Sequence, residues 1–136
     1  MELLIDSFGR VVTYLRVSIT DRCNLRCLYC FPRGPVEFGE ASTLLTFEEI
    51  IRVVRIAADM GVSKVRLTGG EPLVRRGVVE LVERIVRVPG IREVAMTTNG
   101  VLLARLAPRL KAAGLTRLNV SLDSLDPELF RRISGN

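Results

Sequence analysis

Residues 64–72 read Lys64-Val65-Arg66-Leu67-Thr68-Gly69-Gly70-Glu71-Pro72. Polar and apolar side chains alternate from Lys64 to Thr68, the period of a strand with one face against an apolar core. Gly69-Gly70 and Pro72 end it. On either side the period becomes helical. Upstream, Phe47, Ile50, Ile51, Val54, Ala57 and Ala58 share a helical face, Thr46 and Glu49 have capping-box spacing, and Gly61 closes the run, which predicts a helix over 47–60. Downstream, Val78, Leu81, Val82 and Ile85 predict a second helix over about 78–88, stopped by Pro89-Gly90.

The same alternation extends outward. Strand patterns occupy 15–20, 93–98 and 117–123, and a third helix is expected over 104–113 with Pro108 near its first turn, where proline is tolerated. Asp126 and Pro127 have the chemistry of an N-cap and first helical residue, with the chain ending soon after. Strand–helix alternation of this kind predicts an α/β fold of parallel βαβ units with about four strands present. Residues 3–14, around Ser7-Phe8-Gly9-Arg10, predict a short hairpin or an extended arm packed on the first strand.

The strands have two unlike faces. One carries Leu15, Val17, Ile19, Val65, Leu67, Val94, Met96, Leu118, Val120 and Leu122, and must pack on the helices. The other carries Arg16, Ser18, Thr20, Arg66, Thr68, Thr97, Asn119, Ser121 and Asp123. Parallel sheets are normally covered on both faces, and polar groups buried without partners cost about 1–3 kcal/mol each. The economical reading is an open or curved sheet around a wet cavity for a polar, anionic ligand. The alternative is a two-layer sheet with a bare polar face.

Composition narrows the chemistry. With 136 residues, 48% apolar and 26% charged, the chain has the balance of one globular domain and not of a disordered segment. It contains no histidine, which excludes His-ligated metals, Ser/His/Asp and Cys/His pairs and imidazole acid–base chemistry from this chain. No run of about 18 apolar residues predicts a membrane span, and the N-terminus lacks the basic and apolar regions of a signal peptide. The expectation is therefore a cytoplasmic protein with reduced thiols. The net charge is +5, and Lys64 and Lys111 are the only lysines among 20 basic residues. The arginines are scattered and aromatics are few, so no nucleic-acid partner is expected. Arginine suits an anionic small molecule, or simply a solvated surface.

Three cysteines, Cys23, Cys27 and Cys30, lie within eight residues in a loop expected to run from the first strand to about Pro35. That loop leaves the sheet edge where α/β folds place ligands. Three thiolates can hold three corners of an iron–sulfur cube and leave one iron open for an exchangeable ligand. Zinc is the competing reading, although it would need Asp21 or another chain for its fourth ligand.

The spacing C-x3-C-x2-C with Tyr29 before the last cysteine, followed by Gly69-Gly70-Glu71-Pro72, resembles the radical S-adenosylmethionine superfamily. Within it, residues 15–24, 64–72, 96–100 and 119–126 are similar to the GTP 3',8-cyclase family of molybdenum cofactor biosynthesis. The resemblance covers residues 3 to 136 and about the first two-fifths of that family's usual length. It implies an N-terminal portion of a parallel (β/α) partial barrel over 1–136, with the later strands and a second cysteine cluster absent. It implies a 4Fe-4S cluster on Cys23, Cys27 and Cys30 and S-adenosylmethionine at Tyr29, Gly70 and Ser121, with the glycine pair letting ligand approach the backbone and Glu71 accepting from an ammonium group. It implies GTP as substrate at Arg16, Arg66 and Thr97, no catalytic protein side chain, and a separate reductant for the cluster. The cofactor's radical would take a hydrogen from the ribose of GTP, and the sugar would close onto guanine C8.

Bland readings stand beside these. Arg16 and Arg66 could pair with Glu71 or Asp123, and Tyr29 could be loop packing. The chain could belong to another radical enzyme, such as a peptide modifier, or be a non-catalytic iron–sulfur fragment. Alone it is expected to be inactive, either as a fragment or as a truncated gene product, and to form a homodimer or pair with a missing C-terminal portion.

Overall fold

The computed structural model describes residues 2–31 and 37–135; Pro35, the expected end of the cysteine loop, lies outside them. Four strands, β1 (Tyr14–Ser18), β2 (Lys64–Thr68), β3 (Glu93–Thr98) and β4 (Arg117–Val120), form one parallel sheet in sequential order. The helices are α1 (Phe47–Asp59), α2 (Val78–Val86), α3 (Leu103–Ala112) and α4 (Pro127–Ser134). The register sets Arg16 beside Arg66 and Thr97 beside Asn119, so polar residues of neighbouring strands lie level on one face.

The apolar face is closed by α1, α2 and α3. Val65, Leu67, Val94 and Met96 of the sheet pack with Ile50, Ile51 and Val54, with Val78, Leu81, Val82 and Ile85, and with Leu106 and Leu110. The capping box at α1 is complete: Glu49 N donates to Thr46 Oγ1 and Thr46 N to the Glu49 carboxylate. Arg84 of α2 pairs with Glu48 of α1 at 2.7 Å. Residues 3–14 do form a hairpin, with Ile5 opposite Val11, but it is tied to the end of α1 through Leu4 N to Met60 O at 2.9 Å.

The expected burial fails at β4. Leu118, Val120 and Leu122 stay 39%, 51% and 56% exposed, because α4 is docked elsewhere. Arg26 N donates to Ser134 O and Leu28 N to Ile133 O, so the end of α4 holds the cysteine loop. A Cβ on Gly135, with φ of 67°, would lie 2.4 Å from Arg26 O, so only glycine lets the helix end come this close. Pro108 is also displaced from its expected place: it is the sixth residue of α3, past the first turn, and Ala104 O has lost its helical partner there.

Candidate cofactor and substrate site

Every strand ends at the same rim. A pocket of about 360 Å³ is lined by Arg16 from β1, Thr68 from β2, Thr97 from β3 and Ser121 just after β4, together with Cys23, Cys27, Cys30, Tyr29, Gly70 and Asn99. The polar strand face is thus the floor of one cavity, and the three thiols form its wall. Arg66 is outside this lining but bonds to it. Its Nη1 donates to Thr97 Oγ1 at 3.2 Å and Asn119 Oδ1 at 2.7 Å, and its Nε donates to the Tyr14 hydroxyl at 2.6 Å. Among the described residues neither Arg16 nor Arg66 forms an ion pair. Their charge is therefore not consumed by Glu71 or Asp123.

Besides the end of α4, three further contacts hold the cysteine loop. The Tyr29 hydroxyl donates to both Asp123 carboxylate oxygens, at 3.0 and 3.1 Å. That bond, helped by partial desolvation, pushes the phenol up to about 12. Gly70 N donates to Thr20 O and Glu71 N to Arg22 O, both at 2.8 Å, binding the glycine turn to the start of the loop. The third hold is Asn99, whose Nδ2 donates to Asn24 Oδ1 at 2.8 Å and to Cys23 Sγ at 3.8 Å.

The glycine pair and Glu71 also have partners within the chain. A Cβ on Gly69 would lie 2.5 Å from Thr20 O, and one on Gly70 would lie 2.4 Å from Arg22 O. The glycine pair is required by the chain's own backbone crossing beneath the cysteine loop. Glu71 is buried at 1% exposure, and its carboxylate accepts from Leu73 N, Thr98 Oγ1 and Asn99 N. It fixes the end of β3 and lies among the residues that line the pocket.

The thiols are free and share one wall of the pocket. Burial raises the Cys27 thiol above its usual range; the Tyr29 hydroxyl opposes this, while Asp123, Cys30 and Cys23 add to it. Among the described residues no three His, Cys, Asp or Glu side chains converge on a single ion. In a cube each thiolate binds a different iron, so three soft donors spaced around one cavity suit a cluster with an open corner.

Residues 17–136 match the family model described as the Radical SAM superfamily. The chain belongs to that superfamily. Two curated relatives are GTP 3',8-cyclases. That of Petrotoga mobilis is 53% identical over 96% of this chain and 41% of its own length, and that of Heliobacterium modesticaldum is 54% identical over 96% and 40%. The chain therefore spans about two-fifths of the length of the curated relatives it matches. Among solved structures, Streptococcus suis SuiB bound to S-adenosylmethionine superposes with a TM-score of 0.72 at 26% identity, covering 90% of this chain and 28% of that one. BtrN in complex with AdoMet and 2-DOIA superposes at 0.63 with 17% identity, covering 98% and 52%. No helix of the described residues is long and apolar enough to cross a membrane.

Radical SAM membership implies a 4Fe-4S cluster and S-adenosylmethionine as cofactors, and the donor set above fits them. Sequence reasoning passed over three residues that shape this site. Tyr14 and Asn119 orient Arg66, and Asn99 reaches the cysteine loop. Asn119 was already visible on the polar strand face. Asn99 was masked by its Asn-Gly turn signal, and Tyr14 lay just before the expected start of β1.

Proposed function

We propose that residues 1–136 are the N-terminal portion of the core of a GTP 3',8-cyclase, acting with a C-terminal portion that completes the site. The observation that carries this is one pocket that joins the thiol wall to Arg16 and Thr97, with Arg66 donating to Thr97, in a chain more than half identical to cyclases across this region. Cys23, Cys27 and Cys30 would hold the cluster, and Tyr29, Gly70 and Ser121 would bind S-adenosylmethionine. Arg16, Arg66 and Thr97 would bind GTP. When bound, the cofactor supplies the organic radical that starts cyclisation; the protein supplies orientation and exclusion of water.

The binding roles follow from physical chemistry. A guanidinium matches phosphate oxygens in a bidentate way, and among the described residues Arg16 forms no ion pair. Arg66 is pinned through Nε and Nη1, which aims its remaining donors and lowers the ordering cost on binding. The raised Tyr29 phenol stays protonated at neutral pH and so keeps its bond to Asp123. A cytoplasmic location, an external reductant and either homodimerisation or assembly with a C-terminal portion belong to the same proposal.

The test joins this chain to the C-terminal portion of the Petrotoga mobilis relative and assays anaerobic conversion of GTP. The chimera is expected to form cyclised product, and the 136-residue chain alone is not. Arg66→Ala in the chimera is expected to raise KM for GTP at least tenfold with the cluster intact. A cluster-loaded chimera without product, or an unchanged KM, contradicts the nucleotide reading. Peptide modification would then be the reading to examine.

A further inference from the structure

Asn99 occupies the turn after β3, where an asparagine is usually explained by backbone geometry alone. Part of that explanation holds: Val101 N donates to Asn99 Oδ1 at 3.1 Å. The rest of the side chain is spent differently. Its Nδ2 donates to Asn24 Oδ1 at 2.8 Å and to Cys23 Sγ at 3.8 Å. The orientation of the amide follows from chemistry. A flipped amide would set oxygen against Asn24 Oδ1 and NH2 against the Val101 N–H, losing both bonds. The group facing the sulfur is therefore a donor.

The backbone beneath it is equally fixed. Asn99 N donates to Glu71 Oε2 at 2.7 Å, while Thr98 Oγ1 donates to Glu71 Oε1 at 2.7 Å and accepts from Gly100 N at 3.1 Å. A buried carboxylate thus locks the residue that aims at the cysteine. Cys23 Sγ also accepts from Leu25 N at 3.4 Å, so this thiol has two N–H donors.

We propose that Asn99 tunes the iron–sulfur cluster by donating a hydrogen bond to the ligand sulfur of Cys23, with Glu71 as its positioning residue. The inference rests on the cluster reading above. Reduction adds negative charge to the cluster, part of it on the thiolate sulfurs. An N–H donor stabilises that charge more in the reduced state, which raises the reduction potential; such bonds are among the protein's levers on cluster potentials.

The test measures the midpoint potential of the anaerobically reconstituted chain by mediated titration. Resonance Raman of the iron–thiolate stretch provides a second readout. Asn99→Ala removes the donor. Asn99→Asp keeps the acceptor for Val101 N, so the turn persists while the donor is lost. Asn24→Ala removes only the neighbouring partner and serves as the control. Both Asn99 variants are expected to shift to more negative potential, with a several-fold smaller reduced fraction at a fixed potential and a higher iron–thiolate frequency. Asn24→Ala is expected to stay near wild type. Unchanged potential and frequency in cluster-loaded Asn99→Asp overturn the proposal, as does an equal shift in Asn24→Ala. Wild-type chain that forms no cysteine-bound cluster overturns the cluster reading itself and is told apart by its absent chromophore.

Discussion

Glu71 lies in a turn motif, where a carboxylate is expected to face solvent or ligand, yet it is buried and accepts three hydrogen bonds from this chain. Its motif was visible in the sequence. Its partners Thr98 and Asn99 were not, because they come from the next strand and are placed only by the β2–β3 register. Replacing one oxygen by NH2 sets a donor against the Asn99 N–H and leaves a buried group unpaired. Glu71→Gln is therefore expected to cost about 1–3 kcal/mol in urea unfolding; an unchanged midpoint would contradict this account of the turn. Asp123 gives the same lesson. Its charge suggested an arginine partner, whereas it holds the Tyr29 hydroxyl of the cysteine loop. Cys23, Cys27, Cys30, Arg16, Thr97 and Ser121 were legible because spacing and strand parity alone place them, and they do line one pocket.

At the scale of elements, β2 and β3 fall on their expected bounds because alternation stops cleanly at Gly69 and at Asn99-Gly100. The expected run of β4 to residue 123 is cut to Val120. Its neighbour β3 ends at Thr98, which pairs with Val120, and beyond it only Ser121 N finds Thr98 O. The length of an edge strand is set by its partner, which its own sequence does not record. For α2 the last two expected residues tighten into a turn, with Val88 N on Ile85 O. In α3, Pro108 occupies an exposed interior position, so it costs a helical bond without packing in return. Pro108→Ala is expected to stabilise the chain by about 2 kcal/mol, since the restored bond and relieved clash exceed the entropy gained by the unfolded state. A lower melting temperature in calorimetry would show that the proline is needed for packing.

Over the whole molecule, three helices close one face of the sheet while the fourth is diverted to the cysteine loop. Leu118, Val120, Leu122, Leu125 and Leu129 consequently remain exposed beside an edge strand. Such an edge is a template for another chain. The isolated 136 residues are expected to show concentration-dependent mass in light scattering, reduced by Val120→Lys with Leu122→Lys; a monomer at every concentration would show that the edge is already protected. Bonds from α4, from Asp123 just after β4 and from the glycine turn all converge on the cysteine loop, and the central claim is that this assembly holds a cluster with an open iron. The direct measurement is the electron paramagnetic resonance spectrum of the reduced, anaerobically reconstituted chain with and without S-adenosylmethionine. The account predicts a cluster signal that S-adenosylmethionine alters and that Cys23→Ala, Cys27→Ala or Cys30→Ala each abolishes. A signal indifferent to S-adenosylmethionine, or one that survives loss of any of the three cysteines, would contradict it.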